Sequence, residues 1–174
     1  MGFLLAPTVR RTWAPRGQTP ILYQRTRCTR KISSIGGLSL SPGRRHLGLY
    51  LHWYPDTNIC QEHVIAFLRD LLRHLRGPVV VLWDRIQVHR SGAVRDWLVG
   101  QRRLTVECFP AYAPELNPIE HAWSYLKYHR MPNHGIREVD TLGRRVTRET
   151  RFVRGSQSLL RSFIRGSELP IRLE

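Results

Sequence analysis

The chain has 174 residues, of which 41% are hydrophobic, so it is long enough for one domain with a substantial core. Its 28 lysine and arginine residues against 13 acidic residues give a net charge of +15, which argues against a polycationic partner and favours a polyanionic one. The longest apolar runs are too short to cross a membrane and the N-terminus lacks a signal-peptide pattern, so we expect a soluble, cytoplasmic protein with no membrane partner.

The basic residues are nearly all arginine, because Lys31 and Lys127 are the two lysines of the chain. The segment from Met1 to Pro55 contains no acidic residue, which is the clearest asymmetry of composition. Arginine binds phosphate bidentately, and affinity for nucleic acid grows with the number of phosphates neutralised. The charge therefore predicts DNA or RNA binding, with a solvated basic surface as the alternative.

The three cysteines, Cys28, Cys60 and Cys108, are widely spaced and form no C-x-x-C pair. This pattern supports neither a disulfide framework nor a zinc site. A reducing compartment is the natural location for such a chain.

The N-terminal half of the sequence predicts a loop, a hairpin and a helix. The first thirty residues are rich in Pro, Gly, Thr and Arg and show no sustained period, which indicates an extended loop. Two β-prone runs flank the turn signal "SPGRR", so we expect an antiparallel hairpin from Ile32 to Tyr54. Apolar residues at helical spacing predict a helix from Asn58 to Arg76, capped by Thr57 or Asn58.

Two strands and a helix are predicted next. The run "PVVVLWD" is apolar and β-branched, which is typical of a strand buried on both faces of a sheet, and Asp84 lies at its C-terminal end. A helix is predicted from Ser91 to Gln101. The run "LTVECF" predicts another strand, with three alternate side chains pointing inward: Leu104, Val106 and Cys108.

The last part of the chain predicts further helices. Asn117 is a good N-cap and Pro118 suits the first helical position, so a helix begins at this point. Its apolar stripe consists of Ile119, Ala122, Trp123 and Leu126. Beyond Met131 an arginine-rich segment is predicted to be helical. We therefore expect two parts, residues 1–130 and a basic helical extension over residues 131–174.

Two carboxylates are placed where α/β proteins carry out chemistry. Asp84 ends one predicted strand, and Glu120 lies in the first turn of the helix that follows the next strand. Two such side chains can hold divalent cations, which take oxygen ligands and assist phosphoryl transfer. The alternatives are a polar strand terminus for Asp84 and a capping box with Asn117 for Glu120.

Two basic side chains near these acids are candidates with equally simple alternatives. His89 follows the strand of Asp84 and is placed to contact a phosphate or a leaving group, although a histidine here commonly makes only loop hydrogen bonds. Lys127 shares a helical face with Glu120, and its alternative is a solvated surface lysine.

Two stretches resemble a known family. "VVVLWDRIQVHRS" and "VECFPAYAPELNPIEHAWSYLK" are similar to the second half of the DDE transposase domain of mariner-type elements and their bacterial insertion-sequence relatives. The resemblance runs from Phe3 to Lys127, and its most specific piece is "YAPELNPIEHAWSYLK". Asp84 and Glu120 are separated by 35 residues, which matches the family's spacing between its second and third acids.

The resemblance implies an α/β, ribonuclease-H-like mixed sheet with flanking helices. It implies that Asp84 and Glu120 are the second and third catalytic acids, that they bind Mg²⁺ or Mn²⁺, and that the reaction cuts transposon ends and joins them to target DNA. A homo-oligomer associated with the nucleoid is expected. Residues expected to contact DNA are Arg10, Arg11, Arg16, His89, Arg90 and Lys127.

The sequence departs from the family pattern at its start. The family's first aspartate belongs on the central strand just before "GFLLAPTVRRTWAPRGQTP", so we expect that strand and that acid to be missing. Neither Asp56 nor Glu115 matches the first acid's place, and "RIQV" differs from the family's usual turn. We therefore expect a chain that is marginally stable and inactive alone, unless an upstream-encoded transposase polypeptide supplies the strand.

Two other functions remain open at this point. One is a noncatalytic, basic DNA-binding remnant that keeps the scaffold. The other is a ribonuclease-H-like nuclease unrelated to transposition, which the Asn117-Pro118-Ile119-Glu120 context favours less.

Overall fold

The computed structural model describes residues 1–6, 8–21 and 30–174. Arg25, Arg27 and Cys28, together with the rest of residues 22–29 of the predicted N-terminal loop, lie outside the described residues. Within the described ranges, no helix combines the length and apolar character needed to cross a membrane.

The first sheet has three antiparallel strands, β1 (Gly2–Leu4), β2 (Lys31–Leu40) and β3 (Leu47–Pro55), in that order. The predicted hairpin is confirmed, and its strands pair along their whole length. The expectation of an extended loop at the N-terminus is wrong for β1, which pairs with the start of β2. The alternation of buried and exposed side chains explains this strand, because Phe3 and Leu5 are both buried in the core and Leu4 between them is exposed.

The first long helix, α1 (Gln61–His74), packs on this sheet. The predicted apolar stripe is confirmed for Val64, Phe67, Leu68 and Leu71, which are buried, whereas its other two members, Leu72 and Leu75, are only partly buried. The predicted caps Thr57 and Asn58 are wrong, since the N-cap is Cys60. The backbone N–H of Cys60 donates to Nδ1 of His63 at 3.2 Å, so a histidine takes the part that a glutamate usually has at this position.

The second sheet is a parallel pair, β4 (Val79–Trp83) and β5 (Leu104–Cys108), connected by α2 (Gly92–Val99). A short 3₁₀ turn, Gln87–Arg90, precedes α2. Burial of β4 on both faces is a wrong prediction, because Val80 and Leu82 are 65% and 43% exposed. Cys108 is also exposed, since β5 has no further strand beyond it among the described residues.

The helix that carries Glu120 is α3 (Pro118–Tyr125), which continues into a π-helical turn, Leu126–Arg130. Another 3₁₀ turn, Pro114–Leu116, leads into it. The predicted cap and stripe are confirmed: the amide N–H of Ile119 donates to Oδ1 of Asn117, and the four stripe residues are buried. The extension is helical as predicted, with α4 (Val139–Arg154) and α5 (Gln157–Gly166).

Two hydrophobic clusters lie on opposite sides of the sheets. The larger one joins β1, β2, β3, α3, α4 and α5, and the smaller one joins α1 and α2 with β4. The helices of the extension therefore share a core with the first sheet. The division at residue 130 stays a prediction.

The two sheets are not joined by a strand among the described residues. Between them lies a cavity of about 820 Å³, lined by residues 34–41 on one side and by β4 on the other. We call this cavity the inter-sheet cleft. The predicted mixed α/β architecture is present, and the cleft lies between its two sheets.

The extension is fixed to the core partly by a buried acid. Glu149 is 4% exposed and forms ion pairs with Arg130 at 2.7 Å, Arg145 at 2.9 Å and Arg148 at 3.2 Å. Burial alone would raise the pKa of Glu149, but the hydrogen bonds and charges of these arginines outweigh it, and the pKa is lowered.

Replacing Glu149 with Gln should lower the free energy of unfolding by about 2 to 4 kcal/mol at neutral pH, because three arginines lose their counter-charge. A lowered pKa means that the ion pairs stabilise the fold fully above about pH 4.5 and lose this effect as pH falls through the folded pKa. The difference between E149Q and the unsubstituted protein in urea unfolding should therefore shrink in acid. E174Q, which breaks an exposed pair with Arg45, is the control and should change little.

Candidate active site

Asp84 is held by its own loop at the C-terminal end of β4. Its carboxylate Oδ1 lies 2.9 Å from Nδ1 of His89 and accepts a longer bond, at 3.3 Å, from the backbone N–H of Ile86. The Asp84 side chain remains 45% exposed. The 3₁₀ turn Gln87–Arg90 thus places His89 against the Asp84 carboxylate and leaves that carboxylate accessible to solvent.

His89 is fixed by stacking as well as by hydrogen bonding. Its ring lies parallel to the indole of Trp83, with centroids 4.5 Å apart and an interplanar angle of 8°. The hydrogen bond from His89 is the main reason that the pKa of Asp84 lies below its ordinary value, and it outweighs the opposing effect of burial. His89 makes the loop hydrogen bond that the simpler interpretation describes, and its partner is the predicted catalytic acid, while its contact with DNA stays a prediction.

Glu120 is presented by the start of α3. The backbone N–H of Asn117 donates to the carbonyl of Pro114 at 3.0 Å, so the capping box, which needs that N–H for the Glu120 carboxylate, is not formed. Glu120 is exposed and lines the inter-sheet cleft, as Asp84 does. The Asn117 cap therefore fixes the start of α3, and the Glu120 carboxylate has no capping role in that helix.

The two acids come together around the N-terminus of the chain. Burial lowers the pKa of the Met1 ammonium, while the charges of Glu120 and Asp84 raise it. The charges of both carboxylates therefore act on the same group, the Met1 ammonium, although the two acids lie on different elements. Lys127 belongs to the same group of charges, since burial lowers its pKa and the charge of Glu120 opposes that shift.

The acids form only part of a metal site. The described residues contain no group of three or more His, Cys, Asp or Glu side chains that could hold a metal ion. Asp84 and Glu120 are oxygen donors of the type that Mg²⁺ and Mn²⁺ prefer, and the charges of both carboxylates act on the Met1 ammonium, although burial outweighs them and its pKa is lowered. The donor set fits such a cation but leaves coordination positions for other ligands.

The predicted DNA-contacting arginines lie on two separate segments, the N-terminal residues 10–16 and the 3₁₀ turn that ends at Arg90. Arg10 is anchored, because its guanidinium lies 5.0 Å from the ring centroid of Tyr128 and its backbone N–H donates to Asn133. This contact places Arg10 beside the turn that carries Lys127. The other three predicted arginines are exposed: Arg11, Arg16 and Arg90.

Sequence reasoning missed two groups that shape the site. Nε of Arg85 donates to the carbonyl of Phe109 at 2.9 Å and so ties together the segments that follow β4 and β5. Tyr112 is fully exposed with a φ of 59°, on the loop that leads to Glu120. Arg85 follows Asp84 directly, but no local pattern reveals a contact 24 residues away.

Residues 1–143 match the family described as DDE superfamily endonuclease. The chain belongs to that superfamily. No curated protein sequence matches it. The family match covers both acids and reaches the first turn of α4, so the resemblance inferred from the motifs is confirmed over more of the chain than those motifs span.

Solved structures of Mos1 mariner transposase complexes share the fold. The paired end complex with Mn matches with a TM-score of 0.66 and 17% identity over 95% of this chain and 49% of that chain. The strand transfer complex matches with a TM-score of 0.62 and 18% identity, over 95% and 48%. This chain therefore spans about half the length of those structures. At 17% and 18% sequence identity, the structural similarity shows only that the chain shares the ribonuclease-H-like α/β fold.

Replacing His89 with Phe should raise the pKa of Asp84 toward its ordinary value, because Phe keeps the stacking on Trp83 but donates no hydrogen bond. NMR titration of the Asp84 carboxyl carbon measures this shift. Asp56, whose pKa is lowered chiefly by a hydrogen bond from Arg30, is the internal control and should titrate as before. An unchanged Asp84 pKa in H89F would show that His89 does not hold this carboxylate.

Proposed function

We propose that this chain is the catalytic-domain portion of a DNA transposase that acts by metal-dependent phosphoryl transfer on the DNA ends of an insertion sequence. The observation that carries the proposal is the convergence of Asp84 and Glu120 on one cleft, from two elements that the fold brings together. Membership of the DDE endonuclease superfamily supports the same class of chemistry.

The proposed division of labour follows from the geometry of each side chain. Asp84 and Glu120 would hold Mg²⁺ or Mn²⁺, which supplies charge stabilisation for the attacking and leaving oxygens of phosphoryl transfer when bound. Asp84 stays ionised through its hydrogen bond from His89, so it presents a full negative charge to a cation. Glu120 is oriented by the Asn117 cap, and Arg10 and Lys127 would hold phosphates beside it.

The partners proposed for this chain are transposon ends and target DNA. The Mos1 structures of the same fold are complexes with paired ends, with a left transposon end and of strand transfer. We extend that type of partner to this chain because of its net charge of +15 and its exposed arginines. Assembly as a homo-oligomer is part of the proposal.

A noncatalytic DNA-binding role is the second candidate. The observation in its favour is that the described residues contain no group of three or more His, Cys, Asp or Glu side chains that could hold a metal ion. DNA binding without metal binding would support this candidate.

Asp84→Asn and Glu120→Gln should each weaken Mn²⁺ binding by about tenfold or more, because each removes a charged oxygen ligand. Water-proton relaxation measures Mn²⁺ affinity, and nicking of plasmid DNA in the presence of Mg²⁺ gives the second readout. Both variants should bind DNA as the unsubstituted protein does.

Glu115→Gln is the matched control for these variants, since Glu115 is an exposed glutamate on the loop that leads to α3. It should keep the Mn²⁺ affinity. If D84N and E120Q also keep it, the two acids do not form a metal site and the catalytic proposal fails.

The combined variant R11A/R16A should lower the slope of log Kd against log salt concentration by about one for each phosphate that the protein no longer neutralises. Arg102→Ala is the control. Arg102 is exposed and precedes β5, whereas Asp84 follows β4, so the two residues lie at opposite ends of the parallel strands. Fluorescence anisotropy with a duplex oligonucleotide measures both slopes. Equal slopes in the two variants would exclude the N-terminal arginines from the DNA-binding surface.

A further inference from the structure

The exposed side of α4 carries three arginines in a line. Arg144, Arg148 and Arg151 are four and three residues apart, so they lie on one face of the helix, and all three are exposed. We call these three residues the arginine row. The opposite face of α4 packs against β2 and β3 in the larger hydrophobic cluster. The backbone that carries the row is therefore fixed by the core.

The arginine row has few negative charges beside it. α4 contains two acids, Asp140 in its first turn and the buried Glu149. Neither Arg144 nor Arg151 forms an ion pair with an acid of the described residues, and Arg144 donates instead to the hydroxyl of Thr141 at 3.0 Å. Like charges three or four residues apart destabilise a helix, so the row favours an anion from outside it.

Glu149 orients the guanidinium groups beside the row. Its carboxylate pairs with Arg148 of the row and with Arg130 and Arg145, whose side chains are 31% and 39% exposed. Nη2 of Arg145 also donates to the carbonyl of Arg130 at 3.1 Å. Three cations around one carboxylate leave two positive charges without a counter-charge in this cluster. Because these groups are ordered before a ligand arrives, less entropy is lost when they bind one.

The same cluster connects the row with the candidate active site. The guanidinium of Arg130 lies 4.0 Å from the ring centroid of Phe152, which is 52% exposed. Arg130 ends the π-helical turn that carries Lys127, and Arg10 lies against Tyr128 of that turn. Basic side chains therefore follow one another from the end of α3 to the outer side of α4.

We infer that the arginine row is a second DNA-binding surface, which holds phosphates of a duplex segment that leaves the inter-sheet cleft along α4. Guanidinium groups bind phosphate bidentately, and a line of them on a rigid helix suits a regularly repeating polyanion. The 16 residues of α4 span about 24 Å, which equals about seven base pairs of duplex. The inference rests on the proposed function for the identity of the partner, and it adds a surface outside the site of Asp84 and Glu120.

The salt dependence of DNA binding tests the inference. The row variant, R144A/R148A/R151A, should lower the slope of log Kd against log salt concentration by about two to three, because each lost phosphate contact lowers it by about 0.9. Fluorescence anisotropy of the full chain with a long duplex oligonucleotide measures this slope.

The control variant, R69A/R76A/R102A, removes the same number of exposed charges elsewhere. Arg69 lies on α1, in the helix layer of the smaller hydrophobic cluster, while Arg76 and Arg102 precede β4 and β5, at the ends of these strands remote from Asp84. Its slope should equal that of the unsubstituted protein. Equal slopes in the row variant and the control variant would show that the row binds no DNA phosphate.

Replacing Glu149 with Gln gives a second test, in which two explanations predict opposite signs. If the carboxylate only repels phosphates, E149Q should tighten DNA binding, because it removes a negative charge. If it orients the three arginines, E149Q should raise Kd by about threefold or more. We expect the rise, and a lower Kd would contradict the orienting role. A circular dichroism spectrum checks that E149Q is folded, and the row variant decides the question if it is not.

A polyanion without phosphates tests the choice of DNA as the partner. Polyglutamate carries carboxylates in place of phosphodiesters, so its affinity should fall less than that of DNA in the row variant. Equal losses of affinity for polyglutamate and for DNA would contradict the assignment to DNA and favour an acidic protein surface instead.

Metal binding separates this inference from the proposed function. The row variant should keep the Mn²⁺ affinity of the unsubstituted protein, because the row and the two acids lie on different elements. A lowered salt slope in the row variant, with Mn²⁺ binding unchanged in D84N and E120Q, would support the DNA-binding row and count against the catalytic proposal. Mn²⁺ binding that depends on both acids, with equal slopes in the two arginine variants, would do the reverse.

Discussion

The contact between Trp123 and Gly36 determines where the helix of Glu120 can lie. A Cβ at Gly36 would come within 2.8 Å of the indole, so only glycine lets α3 approach β2 this closely. The same indole meets Phe3 edge to face at 6.3 Å, which ties β1 to the helix. Glu120 is three residues before Trp123, and its place opposite Asp84 depends on this packing.

Acidic side chains serve two distinct purposes in this basic chain. Glu149 is buried and neutralised by three arginines, so it stabilises the junction of α4 with the π-helical turn. Glu120 is exposed and forms no ion pair within the described residues, although arginines are abundant. A carboxylate kept apart from available arginines is free to bind a cation, which is the role proposed for it.

Local patterns in the sequence were sufficient for most elements near the site. The stripe of α3 with its Asn117-Pro118 start, the β2–β3 hairpin and the strand ending in Asp84 all depend on neighbours in sequence, and all are present. The two acids were predicted as candidates because strand ends and helix starts have recognisable residues, and their catalytic role stays a prediction.

The failures concern contacts that sequence spacing does not encode. Cys60 replaced the expected cap because the nearby His63 ring supplied an acceptor. The run of β4 indicated burial on both faces, but Val80 and Leu82 face the cleft, and burial depends on what lies across it. The hydrogen bond from Arg85 to the carbonyl of Phe109 likewise forms only because β4 and β5 pair in this parallel register.

The central claim is that Asp84 and Glu120 act on one cation. Adding substoichiometric Mn²⁺ to the isotope-labelled chain and recording NMR spectra tests it, because a paramagnetic ion broadens signals near it. The account predicts selective broadening of the carboxyl signals of both Asp84 and Glu120 at the same Mn²⁺ concentration, with Glu115 spared. Broadening of one acid without the other, or of neither, would contradict it.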